Sequence, residues 1–417
     1  MGDVAQLLGD TGTAAGAASA LRQTSAIRER ARFLLERARL GESAWFRVDD
    51  DNLHTAAGEV AAVTLRRYPD LSIPVHSRWR HFEAGGVDRK SVFDAALGSL
   101  DLRSRARAMI DLTLISVLLD AGAGADWRYR EEPAGPDFTR SEGLGVASFH
   151  AFMAGTFSSE PDEPLRVDAG RLRRLSTEQL AQAFQVDDNN QLVGLEGRVS
   201  LLRRLGRELE NQPEVFGSQA RPGGLFDAIV TADATPVVAH DILTGILTSL
   251  AGIWPADNMI GDQPVGDCWY HKDLGGPGLT KGWMPFHKLS QWLTYSLLEP
   301  LGWAGVTVEG LDELTGLPEY RNGGLLIDTA VLTLHDPSWS TRSWRPADEL
   351  VVEWRALTVA LLDELAPLVR GRLGLGTGEM PLACILEGGT WAAGRGLAQR
   401  LRSGLPPLNV ISDGTVF

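Results

Sequence analysis

The stretch Val117–Trp127, VLLDAGAGADW, decides between two architectures. An apolar run, an acid and spaced glycines are what a phosphate-cradling loop needs at the end of a parallel strand. The same letters suit a buried helix that stops on glycine. A dinucleotide or adenosyl loop requires βαβ alternation around it. Here the preceding residues, RSRARAMIDLTLISVLL from Arg103, are an unbroken run of good or tolerable helix formers. The reading is therefore a helix, with Gly122 and Gly124 turning the chain out and leaving Asp120 and Trp127 at a pocket edge.

Working outward, the helical period persists. Ser25–Leu40 sets Ile27, Ala31, Leu34, Leu35 and Ala38 on one face, and Gly41 supplies a stop. Ser176 lies three before Gln179, a capping-box spacing. The segment 196–210 repeats Val199, Leu202, Leu205 and Leu209 at helical intervals, and FHKLSQWLTYSLLEPLG (286–302) and DELVVEWRALTVALLDELAPLVRGRLG (348–374) predict two further helices. Only GVTVEG (305–310) and GLPPLNVIS (404–412) read as strands. The expected fold is mainly α with few short strands. Residues 1–23, rich in Gly, Ala and Thr, are expected to be a flexible lead-in. Residues 24–417 form a single helical domain, with loops at 132–137, 159–164 and 255–280 and a lobe boundary near 160 that divides it into 24–160 and 161–417.

Charge and composition narrow the function. A net charge of −14 and a pI of about 5.1 argue against extended nucleic acid as a partner. VVAHDILTGILTSLAGIW (237–254) carries His240 and Asp241 within its apolar run, so it reads as a buried helix and not a membrane span. Cys268 and Cys384 are too few for a disulfide framework, and MGDVAQLLGD lacks a basic signal region, so a cytoplasmic location is expected. Cationic usage is lopsided: four lysines stand among 40 Lys and Arg residues, and Lys272, Lys281 and Lys288 share one short window. A lysine kept in such a background supplies a compact point charge that a guanidinium does not.

Polar groups crowd into four places. IPVHSRWRHFEAGG (73–86) packs His76, Arg78, Trp79, Arg80, His81 and Phe82 together, which suits either a pocket wall or a core-anchored loop. WYHKDLGGPGLTKGWMPFHKLSQW (269–292) holds His271, Asp273 and His287 without the tight spacing of a zinc site, so no metal is expected. His287, Lys288 and Gln291 instead open a helix, where N–H groups favour an anion. LPEYRNGGLLIDTAVL (317–332) runs Tyr320, Arg321 and two glycines into Asp328, which either caps a helix from Thr329 or does chemistry; both can hold. In VVEWRALTV (351–359), Glu353 and Arg355 lie two apart on an apolar helix, which requires an internal ion pair or an arginine aimed at a phosphate.

These motifs, with LLDAGAGADWRYRE, RSEGLGVAS and VVEWRALTVALLD, resemble the uracil-catabolism family, a family of unknown function found in bacteria and fungi. That resemblance implies a place in a uracil-degradation route that opens the ring and passes through a ribosylated urea. More distantly, the chain is similar to queuosine-nucleotide salvage glycosidases, which implies a helical DNA-glycosylase-like body. Phe286, Lys288 and Gln291 match that family's F-x-K-R-A-Q helix, and Glu353 and Arg355 match its E-V-E-I-R helix. Asp328 falls on the aspartate of its alanine-aspartate-tyrosine turn, with Thr329 where tyrosine would stand. Asp120–Trp127 lies where that family has D-x-L-N-F-x-F-W.

The resemblance implies an N-glycosidase that cleaves the ribosyl C–N bond of a ribosylurea or its 5′-phosphate, a small-molecule substrate, without cofactor. Cleavage develops positive charge at the anomeric carbon, which a desolvated carboxylate stabilises; Asp328 is the expected one. The urea leaving group wants a proton, from His76, His81 or Asp120. Lys288 and Arg355 are expected to anchor phosphate, and Trp79 and Trp127 to wall the leaving-group pocket, with Arg78, His287, Gln291, Tyr320, Arg321 and Glu353 completing the substrate contacts. The alternatives are a non-catalytic nucleotide-binding or scaffold protein of the same route, and a metal-dependent amidohydrolase acting on a ureide. The oligomeric state is not legible.

Overall fold

Apolar spacing carries most of the chain into helix. The computed structural model describes residues 9–124, 126–131, 135–231, 236–254 and 258–411. Within them the fold is mainly α, and the short strands pair two by two in six two-stranded sheets. Of the expected strands, Val308–Glu309 pairs in parallel with Val237–Val238, and Asn409–Val410 with Ser343–Trp344; Ser412 lies outside the described residues. Part of the expected loop at 132–137 and of that at 255–280 also falls outside them. No helix among the described residues is long and apolar enough to cross a membrane.

The described residues divide into two compact units: those within 9–76, 258–291 and 310–411 in the first, and those within 77–254 and 292–309 in the second. The first is organised around the helix Glu349–Leu373, whose residues from Leu350 through Leu362 are all buried. It packs against Thr24–Arg39 and Leu53–Arg67. Thr24–Arg39 buries the apolar stripe read from its period, Ile27, Ala31, Leu34, Leu35 and Ala38. Glu349–Leu373 ends with Arg370 and Arg372 in its last turn and Gly374 in the left-handed region, φ +71°. The lead-in differs from expectation: Ala14–Leu21 is helical, capped by Thr13, and buries Ala17, Ala18 and Leu21 against Ile260, Val265 and Cys268. Alanine is the strongest helix former, and small side chains allow close docking.

A second departure concerns Asp328, which caps no helix from Thr329. It is the last residue of the helix Tyr320–Asp328, after which the chain enters the strand Leu332–Leu334. Glu319 takes the N-cap position, accepting from the N–H groups of Arg321 and Asn322 at 2.7 and 2.5 Å, so the helix starts early. Glycine argues against helix by propensity, but Gly323 is required by packing: a Cβ on it would stand 2.7 Å from the Trp354 ring. The same helix packs on Trp391–Arg402, where a Cβ on Gly394 would come within 2.0 Å of the Arg321 carbonyl oxygen. Gly394→Ala is expected to lower stability by about 1–3 kcal/mol, read as a fall in thermal midpoint, because two backbones must separate.

The second unit holds the helix Leu102–Leu118, buried from Ala108 to its end, against Arg140–Met153. Leu195–Asn211 buries Val199, Leu202, Leu205 and Leu209 and packs on Ala169–Arg174. The capping box at Ser176 is formed in both directions.

Candidate functional site

In the first unit, strands Cys268–Tyr270 and Trp283–Pro285 pair antiparallel and set Asp267 beside Phe286. His287, with φ +50°, turns the chain sharply into the helix Lys288–Trp303, and its Nε2 lies 3.0 Å from the Leu21 carbonyl oxygen. The anion site expected at this helix start is filled by the protein's own carboxylate. Asp267 Oδ2 accepts from the Lys288 backbone N–H at 3.0 Å, and both Asp267 oxygens take the Arg355 guanidinium at 2.8 Å. Trp269 Nε1 donates to Oδ1 at 2.7 Å. Burial alone would raise the Asp267 carboxyl, but the Arg355 charge and these hydrogen bonds hold it below the usual range. Arg355 is 2% exposed, lies 4.0 Å over the Phe286 ring and donates through Nε to the Pro318 carbonyl at 3.3 Å.

That bond brings the third segment in. Gln291 donates to Thr315 Oγ1 and accepts from the Thr315 N–H at 2.8 Å, and Asn322 Nδ2 donates to the Leu317 carbonyl at 3.0 Å. The loop is thereby fixed with Glu319 where the Lys288 charge acts on it. Burial pushes the Glu319 carboxyl up, and the Arg321 and Asn322 N–H groups and the Lys288 and Arg321 charges only partly oppose it. Lys288, Gln291, Arg355 and the 317–322 turn are thus brought together, and two carboxyls lie among them, Asp267 paired with Arg355 and Glu319 at the turn. Asp328 sits at the other end of its helix, about 13 Å along the axis at 1.5 Å per residue. Its side chain is 2% exposed and paired with Arg402 at 2.6 Å.

Other expected residues of this unit have their own partners. Glu353 and Arg355 do not pair with each other: Glu353 meets Ser43 Oγ and the fully buried His271, at 3.1 Å. Arg321 is buried, reaching the Gly404 carbonyl at 3.2 Å and lying over the Tyr320 ring at 4.6 Å. His76 Nδ1 lies 2.9 Å from Glu387 Oε2, while Arg67 and Tyr68 reach Oε1 at 2.6 and 3.1 Å. Burial would raise the Glu387 carboxyl, but His76 and Arg67 hold it down to about 2. Its folded value is depressed, so its contribution is present above the ordinary value of 4.5 and is lost as pH falls toward 2. At about 1.4 kcal/mol per pH unit this is on the order of 3 kcal/mol. Glu387→Gln is expected to flatten the acid side of the stability profile in that window, measured by denaturant unfolding at stepped pH.

In the second unit three further sequence motifs converge. Arg78, fully buried, bonds to Ser116 Oγ at 2.6 Å, His81 Nδ1 at 2.9 Å and the Ser141 carbonyl and Asp120 at 3.2 Å; among the described residues its Nη2 has no hydrogen-bond partner. Asp120 also takes the Ser141 hydroxyl at 2.8 Å. Trp79 and Trp127 are core residues, 2% and 0% exposed; Trp127 Nε1 donates to the Phe184 carbonyl at 3.0 Å. The glycine stretch that followed the helix turns its carbonyls toward Arg198. Arg198 donates to Leu119, Ala121 and Gly122 carbonyl oxygens at 3.1, 2.8 and 3.3 Å, the opposite polarity to a phosphate loop. Gly124, at φ +89°, completes the turn against Val193.

Sequence reasoning missed Asp267, Glu319, Glu387 and Arg198. Glu319 had a signal, an acid followed by tyrosine within the quoted motif; Asp267 and Glu387 showed only as lone acids beside apolar runs. A surface cavity of about 460 Å³, lined by Arg47, Val48, Asp49, Asp50, Asp51 and Thr333, contains none of the expected residues. Among the described residues, no three His, Cys, Asp or Glu side chains are grouped to hold a metal ion.

Comparison with known proteins adds three matches. The model of a family described as protein of unknown function (DUF1688) matches residues 20–417. The chain is 37% identical over 411 residues to "Uracil catabolism protein 4" of Lachancea kluyveri, covering 90% of this chain and 93% of that protein. It is 38% identical over 400 residues to "Protein urg3" of Schizosaccharomyces pombe, covering 94% and 96%.

Proposed function

The chain belongs to the DUF1688 family, and from that membership we propose that it acts in uracil catabolism as an N-glycosidase, hydrolysing the ribosyl C–N bond of a ribosylurea or its 5′-phosphate. The pathway is the one in the name of the Lachancea relative, and one feature of the site supports the reaction. The observation that carries the reaction is a carboxyl, Glu319, raised by burial and lying within the field of Lys288 where three separated segments meet. In its protonated form, which burial favours, the Glu319 carboxyl can give its proton to the departing urea nitrogen as the C–N bond breaks. The carboxylate left behind stabilises the positive anomeric carbon and takes a proton from the attacking water, which restores the acid. Lys288 supplies a point charge for the 5′-phosphate. Arg355, held by Asp267, positions the turn rather than touching substrate.

The test is incubation of the purified protein with ribosylurea and with its 5′-phosphate, and mass spectrometry of the products. Urea and free sugar, or sugar phosphate, are expected. No product from either compound overturns the reading. Thermal stabilisation by substrate without turnover would indicate a binding protein instead, and activity abolished by chelator would indicate a metal-dependent amidohydrolase.

A further inference from the structure

Away from these residues, the second unit has a cavity of about 260 Å³ between the helices Arg89–Leu97, Leu102–Leu118 and the end of Lys288–Trp303. Its floor is apolar, with Met109, Pro300 and Trp303, the last 38% exposed. Its rim is charged. Lys90 Nζ stands 4.3 Å over the Trp303 ring and hydrogen-bonds Asp94. Arg105 also bonds Asp94, at 2.7 Å, and the Gly98 carbonyl at 3.1 Å.

We propose that this cavity binds a small organic monocarboxylate, its anionic end on Lys90 and its apolar body on Trp303, Met109 and Pro300. Charge sets the sign: two cations share one carboxylate, so a single positive charge is left over, which suits a monoanion better than a phosphate dianion. Lys90 and Arg105 each bond one Asp94 oxygen, and Arg105 also holds the Gly98 carbonyl, so the ammonium of Lys90, with three N–H donors, is the cation placed to take a second anion. The residue type agrees with this. Lys90 is one of four lysines in an arginine-dominated chain. A guanidinium would lie flat over the indole and cover it, whereas a compact ammonium leaves ring surface for a ligand. The volume holds about nine waters at ~30 Å³ each, which matches a ligand the size of a substituted benzene ring.

Benzoate, its neutral isostere benzamide and inorganic phosphate are suitable probes on the full chain by titration calorimetry. Saturable benzoate binding with Kd at or below about 1 mM is expected, with benzamide and phosphate at least about tenfold weaker. Lys90→Met, checked for folding by circular dichroism, should weaken benzoate at least about tenfold. If that variant does not fold, Trp303→Leu is expected to lose benzoate to the same degree. Absence of saturable benzoate binding, benzamide binding equal to benzoate, or unchanged benzoate affinity in the folded variant each overturns the proposal. It does not depend on the reaction proposed above, because the readout is binding in wild-type protein irrespective of turnover.

Discussion

Glu319→Gln is expected to slow release of sugar from ribosylurea or its 5′-phosphate by about a thousandfold or more, while the protein stays folded. The amide keeps the side-chain oxygen that can cap Tyr320–Asp328 but can neither give a proton to urea nor carry negative charge. Burial holds the Glu319 carboxyl above its ordinary range. The rate in wild type should therefore fall as pH rises through that raised value, and the variant should lose this limb of the profile. Asp328→Asn is the contrasting case. Its carboxylate pairs with Arg402, which is 28% exposed and can be re-solvated. The expected cost is about 1 kcal/mol of stability, with turnover within about tenfold of wild type. Turnover lost in Asp328→Asn and kept in Glu319→Gln would reverse the assignment.

The second large effect concerns Asp267 and Arg355. Asp267→Asn leaves a guanidinium 2% exposed without its countercharge and is expected to cost about 3–5 kcal/mol, as is Arg355→Met from the other side. The double variant Asp267→Asn with Arg355→Met should recover part of that loss, because two buried charges are removed together. Thermal melts of the three proteins measure this. Additive losses would show that the pair is not the unit of stability. The single variants should also lower activity, since Arg355 Nε holds the Pro318 carbonyl and with it the turn bearing Glu319.

The helices were legible because their signals are local. The face Ile27–Ala38, the box at Ser176 and Gln179, and the stop at Gly374 all involve residues within a few turns of one another. The lead-in helix and the start at Tyr320 were not, since docking of small residues and a glutamate cap overrode a glycine-rich composition. Among the motifs of the candidate site, Lys288, Gln291 and Arg355 lie together in one unit, and Arg78, His81 and Asp120 in the other. Which acid belonged to each cation was not visible.

The sequence by itself determined a mainly α fold, through apolar spacing, caps and stops that act over a few residues. It also argued against the phosphate loop at Val117–Trp127, because a long helical run preceded it. Only the tertiary structure decided that Arg198 fills that turn, that Asp267 pairs with Arg355, and that Asp328 belongs to Arg402. Those partners lie 77, 88 and 74 residues apart. Helix periodicity is written in neighbouring side chains, whereas a buried charge takes whichever counterion the packing of distant segments brings within hydrogen-bond reach.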